Sequence, residues 1–254
     1  MTALIEAVGV ERMYGEKTPY PVHALRGVDL SIAEGETVAI LGPSGSGKST
    51  LLHLLGALDV PTAGDVLVGG VEIGRLSDRE RSLFRLTQCG FVFQAFHLVP
   101  SMTVSENIAL AAMIGGLRRR QWKDRVDELL EMLGLTGVGS RLPQELSGGQ
   151  RQRVAVARAV FRKPPVVFAD EPTGNLDSAS GAGVLAALRS GIRGIEGGCL
   201  VMVTHDVDVA STADRAVLIN DGRAAGEWKF ANTGNASSAG RGGQLRAWMA
   251  SLDS

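Results

Sequence analysis

Residues 42–49 read Gly-Pro-Ser-Gly-Ser-Gly-Lys-Ser and have the composition of a phosphate-binding loop. Glycines permit backbone conformations that point successive N–H groups at one anion. The apolar run at 37–41 predicts a buried strand before the loop, and residues 48–58 predict a helix after it. The positive end of that helix dipole would face the same anion. This context favours a nucleoside-triphosphate loop over a glycine-rich turn with a chance lysine.

Two residues of this loop, called the P-loop below, have distinct predicted roles. Lys48 should reach the β- and γ-phosphates, and the Ser49 hydroxyl should ligate the accompanying Mg²⁺. The predicted nucleotide contacts of the loop and the residue after it are Gly42, Pro43, Ser44, Gly45, Ser46, Gly47, Lys48, Ser49 and Thr50. The motif indicates a nucleoside triphosphate but does not identify the class of NTPase.

Asp170 and Glu171 directly follow a second buried-strand run at 166–169. A carboxylate at the carboxyl end of a strand beside the P-loop strand is where Mg²⁺ is anchored, so Asp170 is the predicted metal residue. Glu171 points elsewhere in an extended chain and is predicted to orient or deprotonate the attacking water. The alternative is an acidic pair that caps a strand at the surface.

A second phosphate-binding surface is predicted at residues 146–150, which read Leu-Ser-Gly-Gly-Gln and open a helix. This segment is called the signature segment below, and its predicted nucleotide contacts are Ser147, Gly148, Gly149 and Gln150. One chain with one nucleotide does not need two such surfaces. A head-to-tail pair of chains does, because each signature segment can close on the γ-phosphate held by the other chain.

These motifs, in this order, resemble the ATP-binding-cassette (ABC) ATPases over about residues 4–225, with no departure at a functional position. The resemblance implies ATP as the nucleotide. It also implies that Tyr14 stacks on adenine and that Gln94 links the metal site to a helical lobe and contributes to metal binding. Asp177, in Gly-Asn-Leu-Asp, would lie in the loop that contacts the opposite subunit, and His205, in Thr-His-Asp, would be a catalytic switch histidine.

Each of these small elements has a simpler interpretation when taken alone. Tyr14 is also consistent with a half-buried residue at a sheet edge, because aromatic side chains commonly serve packing. His205 is also consistent with a strand-end histidine whose hydrogen bonds are satisfied. Gln94 alone has no interpretation, and the joint order of the motifs carries the assignment.

The alternation of strands and helices predicts an α/β fold built on a parallel sheet with right-handed crossovers. With the resemblance, this becomes a P-loop NTPase (RecA-like) core with an N-terminal antiparallel β subdomain. An α-helical subdomain is expected as an insertion at about 97–160. The ATPase domain is expected to span 1–228, followed by a flexible linker at 229–243 and a short amphipathic helix at 244–254.

Finer details resemble the branch that holds the lipoprotein-release and macrolide-export ATPases. They are extra residues at 16–23 and the sequences at 49–59, 91–100 and 170–177. The resemblance implies a separate ATPase polypeptide that forms a homodimer and works with a membrane permease, present as two copies or as a heterodimer. The segment after residue 228 is longer than this branch predicts.

Composition is consistent with a cytoplasmic subunit that reaches the membrane only through a partner. Hydrophobic residues are 44% and charged residues 21% of the 254 residues, as in ordinary globular proteins. The longest apolar run, 108–114, is far below the ~20 residues that span a bilayer. The two cysteines, Cys89 and Cys199, lie in apolar strand-like sequence and are predicted to be reduced core residues.

Two other functions compete with a transport motor. A soluble cassette protein acting on nucleic acid or ribosomes would usually carry two cassettes or a long coiled coil, and the net charge of −1 gives no field that attracts nucleic acid. The arginines at 118–120 with Trp122 are better explained as a solvated helix face, so no nucleic-acid partner is expected. A regulator that signals through a membrane partner without transport is not distinguished from the motor by sequence.

Overall fold

The computed structural model describes residues 3–230 and 238–252. In chain order the strands are β1 Ala3–Tyr14, β2 Val22–Ala33, β3 Thr37–Leu41, β4 Ala63–Val68, β5 Val71–Glu72, β6 Cys89–Phe93, β7 Val166–Asp170, β8 Cys199–Val203, β9 Arg215–Asn220 and β10 Arg223–Lys229. The α-helices are α1 Lys48–Leu55, α2 Asp78–Gln88, α3 Val104–Ile108, α4 Leu110–Ile114, α5 Arg119–Met132, α6 Gly148–Val160, α7 Ser178–Arg193, α8 Val207–Ala210 and α9 Ser238–Leu252.

The chain forms two compact units. Unit 1 contains residues 1–85 and 199–254, and unit 2 contains residues 86–198. Unit 2 includes the predicted helical subdomain at 97–160 but also strands β6 and β7. Unit 2 is therefore larger than the helical subdomain predicted from the sequence.

The N-terminal strands of unit 1 form an antiparallel sheet in the order β2-β1-β4-β5. Ile5 and Ala7 alternate toward the core along β1, and a register shift after Ala7 allows Val10 to be buried as well. The turn from β4 to β5 is made by Gly69 and Gly70, both with positive φ. The predicted antiparallel β subdomain is therefore confirmed.

Strand β3 of unit 1 lies between two parallel neighbours, β8 and β9, and β10 adds to β9 in antiparallel orientation. All five residues of β8 are buried, which explains the continuous apolar run seen in the sequence. The carboxyl ends of parallel strands meet at one edge of a sheet, where ligands of α/β proteins bind. The predicted parallel-sheet core is confirmed for these strands.

Helix α1 is shorter than the predicted helix at 48–58, because it ends at Leu55. Ala57 adopts a left-handed conformation with φ of 56°, which cannot continue a right-handed helix. At the start of α2, the Ser77 amide donates to the Glu80 carboxylate at 2.8 Å, and the Glu80 amide donates to Ser77 Oγ at 3.4 Å. This reciprocal pair is a capping box, and it fixes the beginning of α2.

Unit 2 pairs β6 with β7 in parallel and carries helices α3 to α7. Three helices lie between residues 104 and 132: Ala109 separates α3 from α4, and the glycines at 115 and 116, the second with φ of 80°, end α4. Trp122 on α5 is only 5% exposed, whereas the three arginines at 118–120 are exposed. The indole is therefore part of the core and cannot stack on a nucleic-acid base.

The C-terminal segment corrects the predicted boundaries of the linker and the helix. Lys229 ends β10, Phe230 is buried, and α9 begins at Ser238 rather than at 244. Arg241 lies over the Phe230 ring at 4.3 Å and donates to the Ala213 carbonyl at 2.8 Å. Tertiary contacts therefore hold a helix where glycine and serine content predicts a linker. Residues 231–237 of the predicted linker lie outside the described residues.

Helix α9 packs on its own unit through contacts with α8 and β10. Leu245 is fully buried, and the Trp248 ring lies 5.8 Å from the Trp228 ring. Arg246 forms an ion pair with Asp208 at 2.8 Å. The apolar face predicted for this segment therefore covers an apolar surface of the same chain, which favours a packing role.

We expect Leu245→Ala to lower the free energy of unfolding by about 2–5 kcal/mol, because it leaves a cavity at a fully buried position. A thermal melt should show a loss of several degrees. ATP turnover per folded molecule should be unchanged. Leu252→Ala is the matched control, since Leu252 is 42% exposed, and should change the melting temperature little. Altered turnover with an unchanged melting temperature would instead indicate a regulatory role for α9.

Cys89 and Cys199 are both buried and form no disulfide, as predicted. The Cys199 thiol donates to the Ala33 carbonyl at 2.9 Å, and burial raises its pKa, which disfavours the reactive thiolate.

Across residues 3–230 and 238–252, every helix is too short or too polar to cross a bilayer.

Candidate functional site

The P-loop lies between β3 and α1, as predicted. Gly42 and Gly47 have φ of 149° and 102°, a range that side chains rarely permit. A Cβ on Gly42 would lie 2.0 Å from the Ile219 carbonyl oxygen, and one on Gly47 would lie 2.4 Å from that of Ala24. Only glycine fits at these two positions, because neighbouring backbone occupies the space of a side chain.

The interior of the P-loop holds polar groups out of solvent. Lys48 is 8% exposed, and its ammonium donates to the Pro43 carbonyl at 2.7 Å. Ser46 is 4% exposed, and its Oγ has no hydrogen-bond partner among the described residues. The N-cap of α1 is Gly47, which supplies no side chain to the first-turn N–H groups. A buried ammonium beside an uncapped helix start suits a bound anion.

We expect Gly47→Ala to weaken ATP binding by at least ~10-fold, because the new methyl group would displace the loop from the Ala24 carbonyl. Gly35→Ala is the control: Gly35 also has positive φ, 76°, but a Cβ there meets no atom within 4 Å. It carries the backbone strain without the clash and should keep the ATP affinity. Equilibrium binding of ATP would measure both, and equal affinities for the two variants would contradict the assigned loop geometry.

Tyr14 ends β1, and its hydroxyl donates to Asp59 at 2.9 Å. Arg12 forms two hydrogen bonds to the same carboxylate, at 2.8 and 2.9 Å, and its guanidinium lies 4.6 Å from the Tyr14 ring centre. Tyr14 is 37% exposed, and Arg12 covers one face of its ring. The predicted stacking of adenine on Tyr14 requires the opposite face of the ring. Sequence reasoning missed Arg12 and Asp59, which fix the ring.

His205 is exposed and is the second residue after β8. The Thr204 amide donates to the Ile40 carbonyl at 3.1 Å, so the His205 segment and the P-loop leave the sheet at the same edge of unit 1. The neighbouring Asp206 carboxylate accepts from two amides of α8 and caps that helix. The conformation of the Thr-His-Asp segment is thus fixed on both sides of the histidine.

The metal and base candidates lie at one edge of unit 2. Phe93 pairs with Asp170 across β6 and β7, so Gln94 and Glu171 both follow the ends of neighbouring parallel strands. Glu171 has φ of 47°, which is uncommon for a residue with a side chain and is frequent at functional sites. Gln94 Nε2 donates to Asn175 Oδ1 at 3.3 Å, and Asn175 Nδ2 donates to the Gln94 carbonyl at 3.2 Å.

Gln152 of α6 was not predicted, although it joins the two loops that leave this edge. Its side chain is 1% exposed, and its amide donates to the carbonyls of Pro172 at 2.7 Å and Phe93 at 3.3 Å. Gln152 lies on the same face of α6 as the buried Val156 and Val160, which follow it at intervals of four residues. A polar residue on this apolar face is the sequence signal that would have indicated the role of Gln152.

The signature segment begins α6 as predicted. Ser147 is its N-cap and forms a capping box with Gln150, the two hydrogen bonds being 3.0 and 3.3 Å. A Cβ on Gly148 would lie 3.2 Å from Leu176 Cδ2, and one on Gly149 would lie 3.1 Å from Ser180 Cβ. The two glycines therefore let the start of α6 pack closely on the segment that contains Asp177.

Asp177 caps helix α7 by accepting hydrogen bonds from the amides of Ala179 and Ser180. The Ser180 backbone and hydroxyl hydrogen bonds lower the pKa of Asp177, with the backbone bond having the larger effect. Its carboxylate is therefore held charged at the beginning of α7. These hydrogen bonds explain the local structure of the loop.

The two sets of candidate residues belong to different units. Unit 1 carries the P-loop, Tyr14 and His205, and unit 2 carries Gln94, Asp170, Glu171, the signature segment and Asp177. Within the described part of the chain, no three His, Cys, Asp or Glu side chains cluster as a metal site. The donors present fit a cation such as Mg²⁺, which takes one or two protein ligands and completes its shell with phosphate and water.

Known proteins share sequence with this chain over most of its length. The ABC transporter family profile matches residues 25–174. An uncharacterized ABC transporter ATP-binding protein of Thermotoga maritima is 45% identical over 226 residues, which cover 89% of this chain and 95% of that protein. The macrolide export ATP-binding/permease protein MacB of Rhodospirillum rubrum is 44% identical over 87% of this chain, and the match spans 33% of MacB.

The fold is also found in a solved structure. The dimeric, post-hydrolysis state of the ATP-binding cassette MJ0796, bound to ADP and Pi, matches with a TM-score of 0.81 and 38% identity. The match covers 90% of this chain and 99% of the MJ0796 chain. The order of strands and helices described above is thus that of a nucleotide-binding cassette.

Proposed function

The chain belongs to the ABC transporter family and is an ABC-type ATPase, and on this basis we propose that it is the motor subunit of a transport complex. It binds ATP with Mg²⁺, hydrolyses it in a head-to-tail dimer and transmits the change to a separate membrane permease. The dimeric MJ0796 cassette and the ATP-binding/permease protein MacB support this proposal. The chain spans about a third of the length of MacB.

In unit 1, we assign nucleotide binding to the P-loop and Tyr14. The N–H groups at 42–50 and the Lys48 ammonium bind the phosphates, and Tyr14 supports the adenine. The Ser49 hydroxyl is the proposed Mg²⁺ ligand from this unit. Mg²⁺ supplies charge neutralisation on the β- and γ-phosphate oxygens when it is bound. His205 stabilises the charge that develops on the γ-phosphate.

In unit 2, we assign metal support to Asp170 and Gln94 and the role of general base to Glu171. Each follows the carboxyl end of a parallel strand or ends one, where a side chain leaves the sheet toward a ligand. Glu171 orients the attacking water and accepts its proton. The signature segment and Asp177 contact the nucleotide or the P-loop of the second subunit.

The P-loop carries the proposal, because a buried lysine, an unpartnered buried serine and an uncapped helix start converge in nine residues. The test is release of phosphate from ATP by the purified full chain, with Mg²⁺ and with a chelator. Hydrolysis should require Mg²⁺ and should be lost in Lys48→Ala. Full activity of Lys48→Ala would contradict the assignment of the site.

A membrane permease is the proposed partner, and the chain would be peripheral on the cytoplasmic face of the membrane. Coexpression with a candidate permease and purification through a tag on the permease would test the assignment. Copurification and permease-dependent stimulation of ATP hydrolysis are expected. Copurification with nucleic acid or ribosomes, and not with a permease, would favour the soluble alternative.

A further inference from the structure

The turn after Gln94 has an unusual backbone. Phe96 and His97 are consecutive residues with positive φ, 61° and 48°, although neither is glycine. Left-handed backbone is unfavourable for a residue with a Cβ and is more so for a bulky one such as Phe96. Two adjacent residues persist in this conformation only when surrounding groups hold them there.

Helix α6 supplies the groups that hold this turn. Arg158 donates from its two terminal nitrogens to the carbonyls of Phe96 at 2.8 Å and His97 at 2.5 Å. The guanidinium of Arg151, two turns earlier on the same helix, lies 5.3 Å from the Phe96 ring centre. The planar fork of arginine suits two neighbouring carbonyls, and lysine cannot reproduce it.

The environment of Arg158 indicates more than surface solvation. The side chain is half-buried, and burial lowers its pKa. The hydrogen bonds described for its terminal nitrogens go to uncharged carbonyls. Withdrawing a cation from water is costly, and a long apolar side chain would pack at this place without that cost. The fork itself is therefore the feature that the position requires.

Helix α6 also holds both ends of residues 93–97, which are called the Gln94 segment below. Gln152 binds the Phe93 carbonyl immediately before Gln94, and Arg158 binds the two carbonyls after it. The first residues of α6 belong to the signature segment. An α-helix of 13 residues is a rigid connection, so a displacement at its start would be transmitted to the Gln94 segment.

We propose that Arg158 is a positioning residue for Gln94, acting through the left-handed turn at 96–97. Its two hydrogen bonds fix the position of the turn relative to α6. Because the signature segment begins α6, the position of Gln94 then depends on the position of the signature segment. The proposal rests on the assigned ATPase function for its catalytic consequence. The placement of the turn itself is independent of that function.

The first experiment measures amide hydrogen exchange at 94–99 in the nucleotide-free full chain. Arg158→Met keeps most of the volume and removes the fork, so exchange there should be about tenfold faster than in the unmodified chain. Arg125→Met is the matched control, because Arg125 also donates to two consecutive carbonyls, of Val160 and Phe161, both at 3.3 Å. It should leave exchange at 94–99 unchanged.

The second experiment measures kcat and KM for ATP, per folded molecule. Arg158→Met should lower kcat roughly 10- to 100-fold with KM nearly unchanged, because misplacing a group at the site affects the transition state more than binding. Arg125→Met should keep both constants. If Arg158→Met does not fold, Arg158→Lys tests the same point, with faster exchange and a few-fold lower kcat expected.

The outcomes separate this proposal from the assigned function. Normal exchange at 94–99 in folded Arg158→Met or Arg158→Lys overturns the positioning role, whatever the chain hydrolyses. Faster exchange with unchanged kcat in an active enzyme also overturns it. If the unmodified chain hydrolyses no ATP, the assigned function fails, and the exchange experiment still decides whether Arg158 holds the turn.

Discussion

Glu171→Gln should abolish most ATP turnover, by about 10²–10⁴-fold, while ATP affinity stays near that of the unmodified chain. Glutamine has the shape of glutamate but lacks the charge and basicity that a general base needs. The backbone at this position has φ of 47°. Glutamine meets the same backbone strain as glutamate, so the loop after β7 should keep its conformation. Steady-state phosphate release and equilibrium ATP binding measure the two effects separately.

Glu196→Gln is the matched control for this change. It removes the same charge from an exposed glutamate of the same unit, outside the assigned site, and should leave kcat unchanged. Unchanged hydrolysis by Glu171→Gln would show that Glu171 is not the base, and His205 would then become the candidate. Loss of ATP binding together with hydrolysis would show that the change alters the loop rather than the proton transfer.

The fold was predictable where local pattern and tertiary structure agree. The apolar runs that form β3, β7 and β8 are buried on both faces, so they stand out without any knowledge of their neighbours. The C-terminal helix was predicted to begin at 244 and begins at Ser238, because its first turns depend on contacts distant in sequence. Arg241 donates to the Ala213 carbonyl and lies over the Phe230 ring, and composition does not connect these loop residues to the helix.

The same difference between local pattern and distant contacts applies to the residues of the candidate site. Lys48 and Ser147 occupy helix starts that short motifs specify, and the structure places each at such a start. Residues that hold the motifs in place were not found from sequence. Asp59 and Gln152 act through pairings 45 and 59 residues away, with Tyr14 and Phe93, and no short pattern encodes those distances. Motifs therefore indicate the groups that touch the ligand, whereas their supports emerge only from the fold.

Ser147→Arg and Lys48→Ala should each be inactive alone, and an equal mixture should regain about one working site per heterodimer. In a head-to-tail dimer, the intact P-loop of the Ser147→Arg chain meets the intact signature segment of the Lys48→Ala chain. Ser147 is exposed in the single chain, so arginine there meets solvent until a second subunit closes over it. ATP binding by the Ser147→Arg chain alone should therefore be near normal.

A substitution at Gly149 would test the dimer less cleanly, because its Cβ would already lie 3.1 Å from Ser180 Cβ of the same chain. Loss of a helix cap is the remaining confounding effect of Ser147→Arg, worth about 1 kcal/mol. Ser77→Arg controls for it, since Ser77 is also an exposed serine in a capping box, with Glu80. That variant should lose similar stability and keep full hydrolysis. If mixing restores no activity at any ratio, although both variants bind the partner chain, each site must be complete within one chain, and the signature segment does not act in trans.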